Sequence, residues 1–392
     1  MKVRSYNKRF LARILNAVLF ACTWPFRLVG YPEKVALEKP RSFLICRLDH
    51  IGDAILSTPI FHSLKEKFPE ATITVLCGSW SREIFDNNPY IDSVMVIDCP
   101  WWVSIRNHAK RGSPFLKEVW NVMKEIRRLE FDVFVDLRGD IRHIFLLGWL
   151  VGIPVRISYT RSGGGFLLTH PRVYEHHKHE VERNYGLLEV FEPLNKYFTL
   201  EVHTGDTVKL SLRKKLSGLV RVDDEEYIVL FNGGRSRLRR LSMDKFKDLC
   251  ERLVDEYRVK CCIVGGTEDF DEMENLRVST ADRIGRIINL CGRLSLAELK
   301  ELINSALIYV GTDSSVTHLS AASNTPSVAL FGPLDPQQAR PIGKGKTEIY
   351  HRYPCSPCLQ DICVVTGSTT RGQCMDDITV DEIVHRVSAL LE

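Results

Sequence analysis

The sequence predicts an α/β protein with two doubly wound, mostly parallel sheets, and three observations support that prediction. The chain has 392 residues, which is more than one hydrophobic core usually serves. Short apolar runs alternate with helical patterns of about 10 to 15 residues, as parallel strands joined by crossover helices do. The alternation stops in a polar, turn-rich stretch at residues 195–226 and then resumes, so we expect two domains of similar size.

The composition is that of an ordinary globular protein, with 44% hydrophobic and 26% charged residues. The net charge of +4 is the small difference between 53 basic and 49 acidic side chains, and it does not indicate a nucleic-acid partner. We find no cleavable signal sequence, and most of the 12 cysteines are scattered through apolar runs like buried thiols. A cytoplasmic protein is therefore expected.

In the first half, strands are predicted at residues 42–46, 72–77, 94–97, 131–137 and 155–159. Helices are predicted at about 54–67, 115–128 and 180–191, and the apolar run 145–151 continues the alternation. In the second half, strands are predicted at 227–231, 260–264, 287–290, 306–310 and 326–331, and helices at 243–257, 296–305, 318–323 and 381–391. The expected divisions are an extension at 1–34, domains at 35–205 and 206–378, and a terminal helix at 379–392.

The most informative stretch is residues 309–342, which follows the pattern strand, tight loop, helix, strand, loop. Its loop contains small and polar residues: Gly311, Thr312, Asp313, Ser314 and Ser315. A helix that begins there presents free backbone N–H groups and the positive end of its dipole, which together bind anions. We predict that a diphosphate binds at this loop.

Three further loops follow strands and could face a ligand. Asp53, after Gly52 in the first loop, is either a general base or a helix cap, and Gly52 is expected to allow a sharp turn. The second loop, residues 232–241, contains four arginines, of which some are surface charge and one could neutralise a phosphate. The third, residues 265–269, offers a carboxylate for ribose or for a helix cap. Gly-x-Gly-x-x-Gly and Walker patterns are absent from these loops.

Three segments in this order, RLDHIGDAILSTPIFHSLKEKFPEATITVL, NPYID and VGTDSSVTHLSAASNTPSVALFGPLDP, resemble the bacterial heptosyltransferases of glycosyltransferase family nine. The resemblance covers about residues 43–378. It implies a GT-B fold, in which two Rossmann-like domains share one site. It also implies inverting transfer of L-glycero-D-manno-heptose from an ADP-sugar to the lipid-linked inner core of lipopolysaccharide. Another nucleotide-sugar transferase acting on a different surface glycan, or a non-enzymatic nucleotide-binding protein, remains as an alternative.

The resemblance also assigns roles to residues. Asp53 corresponds to the catalytic base, and Arg239, or else Arg240, replaces the phosphate-binding lysine of the family. Asp269, with Glu268 as the alternative, is the acidic residue on the nucleotide side. The diphosphate loop comprises Asp313, Ser314, Ser315, Val316 and His318, although many relatives have glycine in place of Ser315. Candidate acceptor-binding residues are Arg47, Gly52, Arg138 and Arg142, and no metal is required for transfer.

The N-terminal segment carries basic residues before a short apolar run at 14–26; these are Lys2, Arg4, Lys8, Arg9 and Arg13. The run is too short to cross a bilayer, which needs about 20 residues. Basic residues beside a short apolar helix suit an anionic membrane interface, here the inner face of the cytoplasmic membrane. The alternative is a helix that packs on the protein itself.

Four cysteines near the C-terminus have the spacing C-x2-C-x4-C-x10-C; they are Cys355, Cys358, Cys363 and Cys374. Four thiolates can hold zinc in a tetrahedral structural site. The later spacings match no strong template, so an iron–sulfur site, disulfides and free thiols stay open as alternatives.

Overall fold

The structure, a computed structural model, describes residues 14, 16–23, 37, 39–98, 115–234, 236–280, 283, 285–358 and 360–392. The chain divides into two compact units, Met1–Tyr197 and Phe198–Glu392. Each unit contains one six-stranded sheet in which every pair of neighbouring strands is parallel.

The first unit has the strands β1 Ser42–Arg47, β2 Thr72–Cys77, β3 Ser93–Val96, β4 Val133–Asp136, β5 Val155–Tyr159 and β6 His170–Arg172. Its helices are α1 Ile51–Leu56, α2 Pro59–Lys67, α3 Arg82–Phe85, α4 Phe115–Leu129, α5 Ile141–His143 and α6 Glu180–Leu188. Short 3₁₀ turns lie at Ser79–Ser81, Gly165–Leu167 and Glu189–Phe191, and a π-helix spans Ile144–Trp149.

The second unit has the strands β7 Tyr227–Phe231, β8 Lys260–Val264, β9 Ile287–Asn289, β10 Ile308–Thr312, β11 Ser327–Phe331 and β12 Lys346–Tyr350. Its helices are α7 Asp206–Leu216, α8 Met243–Tyr257, α9 Phe270–Ser279, α10 Leu296–Asn304, α11 Ser315–Ala321, α12 Pro336–Ala339, α13 Gln373–Asp376 and α14 Val380–Leu391. The 3₁₀ turns Arg237–Arg239 and Thr267–Asp269 follow β7 and β8.

Both sheets have the same strand order. The first runs β3-β2-β1-β4-β5-β6, and the second runs β9-β8-β7-β10-β11-β12 when it is written in the same sense. The order reverses between the first and fourth strand of each unit, that is, between β1 and β4 and between β7 and β10. Ligands of such sheets bind at the carboxyl ends of the strands at this switch point. The fold therefore indicates one candidate ligand site in each unit: the pair of loops after β1 and β4 in the first, and the pair after β7 and β10 in the second.

The central strands are almost entirely buried, since helices cover both faces of a parallel sheet. This is why they read in the sequence as continuous apolar runs. The core of the second unit combines side chains from the strands with α8, α9 and the C-terminal helix α14. In the first unit, α4 and the π-helix pack against β1 and β4.

Several elements differ from the sequence-based expectation. The helix predicted at 54–67 is two helices, because Ser57 and Thr58 donate to carbonyls of the preceding turn and Pro59 starts α2. The apolar run at 145–151 lies in a π-helix. Helix α7 was not predicted because it buries only Leu212 and Leu216 and most of its other residues are polar. The edge strands β6 and β12 were missed because they are short or only half-buried.

The N-terminal segment forms a helix whose described residues are 14 and 16–23, and it packs on the first unit. Gly164 N–H donates to Asn16 Oδ1 at 2.8 Å, and the rings of Phe20 and Phe166 meet edge to face at 5.3 Å. Ile14 and Val18 are about half exposed. None of the described helices is long and apolar enough to cross a membrane. The basic residues at positions 2–13, for which a membrane contact is predicted, lie outside the described residues.

Candidate active site

The switch point of the first unit contains Asp53. Strand β1 ends at Arg47, a short loop follows, and α1 begins at Ile51. Asp53 is the third residue of α1, and His50 occupies the capping position, so Asp53 is not the N-cap. Its side chain is 33% exposed. Gly52 also lies in α1 and does not have positive φ, so the expected sharp turn at Gly52 is wrong.

Beneath Asp53 lies a buried guanidinium, that of Arg47, whose side chain is 1% exposed. Arg47 Nη2 lies 2.7 Å from Glu180 Oε1 and 3.7 Å from Asp53 Oδ1, and Nε donates to the backbone carbonyl of Asp53 at 3.1 Å. Nε also lies 3.1 Å from Asp49 Oδ1. The expectation that Arg47 contacts an acceptor does not fit this burial, because its guanidinium is already surrounded by protein oxygens. Its geometry is that of a residue that positions Asp53.

The charges around Arg47 depend on one another. Burial alone lowers the pKa of Arg47, but the carboxylates of Asp49, Glu180 and Asp53 outweigh it and raise the pKa well above the ordinary value. Burial raises the pKa of Asp49, and Asp53 adds to that increase while Arg47 opposes it. Arg47 therefore stays charged at every relevant pH and fixes the electric field at Asp53.

Glu180 extends this network, and sequence reasoning had not singled it out. Its second oxygen, Oε2, lies 2.7 Å from Arg183 Nη2 one turn later on α6. The ring of Tyr174 contacts two guanidinium groups, that of Arg183 at 4.9 Å and that of Arg161 at 4.7 Å. Arg161 is exposed and has no carboxylate partner among the described residues. The Glu-x-x-Arg spacing of 180 and 183 was the available signal, since such pairs meet on a helix.

The loop after β4 is organised by one buried carboxylate. Asp136 accepts hydrogen bonds from the backbone N–H groups of Gly139 and Asp140 and from Ser158 Oγ. His143 Nδ1 lies 2.9 Å from its other oxygen and 3.8 Å from Cys46 Sγ. The ligand atoms of Cys46, Asp136 and His143 lie within 4.8 Å of one another and could hold a metal ion. The hydrogen bonds of Asp136 instead indicate a structural role in shaping this loop.

Two predicted acceptor-binding arginines follow on this loop. Arg142 Nε donates to Asp140 Oδ1 at 2.8 Å, so its charge is already partnered. Burial raises the pKa of Asp140, but the bonds from Arg142 more than offset burial and hold that pKa well below its usual range. Arg138 is half-buried, and its Nη1 reaches the carbonyl of Leu48 at 3.5 Å. Both lie at the carboxyl edge of the sheet, as expected.

The second unit places its arginine loop after β7. Asn232 exchanges two hydrogen bonds with the backbone of Leu241, at 3.1 and 2.8 Å, which ties the two ends of the loop together. Arg240 Nη1 lies 2.9 Å from Asp269 Oδ1, and its Nη2 donates to the carbonyl of Gly234 at 2.9 Å. Arg239 makes one longer ion pair, 3.5 Å from Asp313 Oδ2. Of the two candidates for the phosphate cation, Arg239 is the less constrained.

The two acidic candidates on the nucleotide side also differ. Asp269 is buried, and besides Arg240 it accepts the backbone N–H of Gly266 at 3.1 Å. Glu268, directly before it, is exposed. Asp269 therefore holds the loop after β8 together, whereas the carboxylate of Glu268 is available to a ligand.

The loop between β10 and α11 has the predicted form. Thr312 Oγ1 donates to the carbonyl of Gly233, which joins this loop to the arginine loop. Ser314 caps α11 by accepting Val316 N–H at 3.2 Å, and both Ser314 and Ser315 are partly exposed. His318 is buried within α11. Burial raises the pKa of Asp313 to about 6, although Arg239 opposes the rise.

The four clustered cysteines belong to neither loop pair. They line one cavity of the second unit, next to Leu238. Each of the four is a free thiol in the structure.

Comparison with known proteins identifies the family. Residues 119–368 match the model of glycosyltransferase family 9 (heptosyltransferase). The chain belongs to glycosyltransferase family 9. The match covers more than half of the chain and includes the loops after β4, β7, β8 and β10.

Relatives and solved structures agree with this assignment. Lipopolysaccharide heptosyltransferase 3 of Escherichia coli K12 is 25% identical over 302 residues, which are 72% of this chain and 80% of that protein. The structure of the E. coli ADP-heptose lipopolysaccharide heptosyltransferase II superposes with a TM-score of 0.73 at 20% identity, covering 89% of this chain and 98% of that one. The structure of E. coli WaaC with ADP-2-deoxy-2-fluoro heptose superposes with a TM-score of 0.66 at 16% identity, covering 89% of this chain and 99% of that one.

These comparisons confirm the family, the predicted GT-B fold and the assignment as a glycosyltransferase enzyme. The roles of individual residues stay predictions, because family membership does not by itself assign them.

Asp313 makes a testable contribution to stability. An unfolded aspartate has a pKa of about 3.9 and the folded one about 6, so the folded chain binds the proton more tightly and loses stability as pH rises between these values. Asp313→Asn removes a cost of roughly 2–3 kcal/mol above pH 6. We expect its melting temperature to exceed that of the wild type by several degrees at pH 7.5, with the gain shrinking as the pH falls and vanishing below about pH 3.9.

Differential scanning fluorimetry across this pH range measures the effect. The exposed Asp361 provides the control, and Asp361→Asn should follow the wild type at every pH. A pH-independent difference for Asp313→Asn would contradict the assigned cause.

Proposed function

We propose that this family 9 enzyme transfers a heptose from ADP-heptose to the lipopolysaccharide inner core, with inversion at the anomeric carbon. The observation that carries the proposal is the pair of switch-point sites: an exposed carboxylate over a buried arginine in one unit, and a loosely held arginine beside a capped helix start in the other. Relatives named as ADP-heptose and lipopolysaccharide heptosyltransferases support this choice of donor and acceptor.

Asp53 acts as the base in this proposal. Its oxygen takes the proton of the acceptor hydroxyl as that oxygen attacks the anomeric carbon, and the bond from that carbon to the diphosphate breaks. Asp53 is one-third exposed, so it can reach a substrate. Arg47 contacts both its side chain and its backbone carbonyl, which restricts the orientation of the carboxylate.

Arg239 and the start of α11 receive the departing diphosphate. The ion pair between Arg239 and Asp313 is long, at 3.5 Å, and therefore weak. A diphosphate with two charges can compete with Asp313 for the guanidinium of Arg239. Ser314, Ser315 and the backbone N–H of Val316 surround the start of α11, while Asp313 and the buried His318 organise the loop. Negative charge develops on the leaving group in the transition state, and its stabilisation usually contributes most to the rate enhancement.

On the nucleotide side, we assign the ribose contact to Glu268. Asp269 stays buried with Arg240 and keeps the two nucleotide loops in register. On the acceptor side, the anionic core is expected to meet Arg138 and Arg161. Arg161 is exposed and pre-positioned by Tyr174, so less side-chain freedom is lost on binding.

The enzyme is proposed to work at the cytoplasmic face of the inner membrane, where a lipid-linked acceptor is held. The N-terminal helix supports this placement, because it packs on the first unit through Asn16 and Phe20 while Ile14 and Val18 stay exposed. Exposed apolar residues preceded by five basic ones suit an anionic interface.

The chemical step as proposed uses no metal or organic cofactor, since Arg239 and backbone N–H groups carry the diphosphate charge. Zinc at Cys355, Cys358, Cys363 and Cys374 is proposed as structural.

The base assignment predicts that Asp53→Asn lowers kcat by about 10²–10⁴, because the carboxylate is lost while its shape is kept. Steady-state transfer from ADP-heptose to purified core acceptor measures this, and calorimetry should give an ADP affinity within about twofold of the wild type. The exposed Glu70 supplies a matched control, Glu70→Gln, with unchanged turnover. Near-normal turnover of Asp53→Asn would remove Asp53 as the base. Equal rates with ADP-, GDP- and UDP-sugars would contradict the proposed donor.

The diphosphate assignment predicts that Arg239→Ala lowers kcat about 100-fold and weakens donor binding, whereas Arg239→Lys keeps most of both because the charge remains. Arg237 lies on the same turn, is exposed and has no ion pair among the described residues, so Arg237→Ala is the control. Transfer kinetics and calorimetry with ADP are the measurements. Equal losses for both alanine variants would show that the turn, not the charge of Arg239, matters.

The membrane assignment predicts that Ile14→Asp with Val18→Asp reduces co-sedimentation with vesicles of phosphatidylglycerol and phosphatidylethanolamine at least about tenfold, because two apolar contacts are lost. Leu210 is an exposed leucine of α7 in the other unit, and Leu210→Asp should leave binding unchanged. Retained binding by the double variant would place the membrane contact elsewhere.

A further inference from the structure

The four clustered cysteines lie in a segment that has no strand or helix of its own until α13. Residues 351–372, except residue 359, are described as turns and irregular chain. Three apolar side chains beside the cysteines, Ile362, Val364 and Val365, are more than half exposed. Apolar burial therefore does little to hold this segment, and a segment of this length usually needs another constraint.

All four thiols nevertheless face one cavity. Cys355, Cys358, Cys363 and Cys374 line it together with Tyr353, Pro333 and Leu238. The other described buried cysteines are different, because six of them lie in or beside the strands and helices of the two cores. Packing explains those six, but it does not explain four thiols around one cavity at the protein surface.

Backbone hydrogen bonds hold the chain beside two of the clustered cysteines. Cys358 N–H donates to the carbonyl of Pro333 at 2.6 Å. Cys363 begins a tight turn, since the N–H of Gly367 donates to its carbonyl at 2.8 Å. The N–H of Cys363 in turn donates to the carbonyl of Ser368 at 2.8 Å. The cysteine segment is therefore tied by its backbone both to itself and to the loop after β11.

The cysteine segment also contacts the turn that carries Arg239. Leu238, between Arg237 and Arg239, lines the same cavity. Gly372 approaches this turn so closely that a Cβ on it would lie 2.5 Å from the Leu238 carbonyl oxygen. From Gly372 the chain continues into α13, which contains Cys374 and the fully buried Met375. Any force that closes the cysteine segment therefore acts on the position of the Arg237–Arg239 turn.

We propose that the four cysteines bind one Zn²⁺ as a tetrathiolate and that this site clamps the Arg237–Arg239 turn in place for the donor diphosphate. The second part of this proposal, the clamp on the Arg237–Arg239 turn, rests on the role of Arg239 proposed above. Four sulfur ligands favour zinc, or iron in its place, and a closed four-ligand site leaves no position for a substrate.

To bind one Zn²⁺, the four sulfur atoms must approach one another. Among the described residues, the one group of three ligand atoms within 4.8 Å of one another is Cys46, Asp136 and His143, so the clustered thiols are spaced more widely. Zinc–sulfur bonds of about 2.3 Å draw the four sulfurs closer than that. Rotation of cysteine side chains in a segment without regular structure allows the change, and it tightens the segment against Leu238.

The first experiment measures metal in the full chain, purified without chelators or added metal. Mass spectrometry of the digested protein should find about one zinc, or one iron, per chain. Cys363→Ser and Cys374→Ser should each lose most of it. Cys22 is exposed and lies outside the cluster, so Cys22→Ser should keep the full amount. A chain with no stoichiometric metal, whether its thiols titrate as free or prove to be joined as disulfides, overturns the site.

The second experiment measures the clamp through ADP binding by calorimetry. Cys363→Ser should weaken ADP binding at least roughly tenfold, since small displacements of a binding group are costly. It should do so without changing the melting temperature of the first unit. Metal loss with unchanged ADP affinity overturns the clamp but leaves the metal site. These readouts need no transfer reaction, so a failed transfer assay, which would count against the proposed function, is distinguishable from a failed clamp.

Discussion

The site of the first unit depends on one buried cation. Arg47 ends the central strand and brings Asp49, Asp53 and Glu180 to a single guanidinium at the switch point. A buried charge is costly unless it is fully paired, so the loop after β1 and the start of α6 must take up the positions that satisfy it. Those same positions leave Asp53 directed outward. The arrangement of the carboxylate is thus a consequence of satisfying the arginine.

The second unit divides the same tasks between adjacent residues. Arg240 is the more tightly held arginine: it contacts Asp269 and a backbone carbonyl, and it joins the loops after β7 and β8. Among the described residues, Arg239 has one long ion pair, to a carboxylate whose burial favours protonation. In the proposed mechanism, a positioning arginine and the arginine that binds the diphosphate are therefore adjacent. In the first unit, the group proposed to act on the substrate is instead the carboxylate of Asp53.

The sequence was informative wherever burial is continuous. Strands such as β2, β5, β7 and β8 were predicted residue for residue, because both faces of a parallel sheet are covered and the apolar run has clear ends. The loops were also located correctly. The state of each charged side chain was not predictable, because Arg47, Arg142 and Arg161 look alike in sequence. Only the fold shows that Arg47 is enclosed, Arg142 is paired and Arg161 is stacked on a tyrosine. Partners distant in sequence, such as Glu180 for Arg47, decide these differences.

The position of α14 has a consequence for the order in which the protein is completed during synthesis. The first sheet is built wholly from residues before 173, so it can close while the rest of the chain is still being made. The core of the second sheet includes Val380, Ile383, Val384 and Val387 from the last helix. The second core can therefore finish packing only after residues 380–387 have left the ribosome, so its strands stay exposed longer than those of the first sheet.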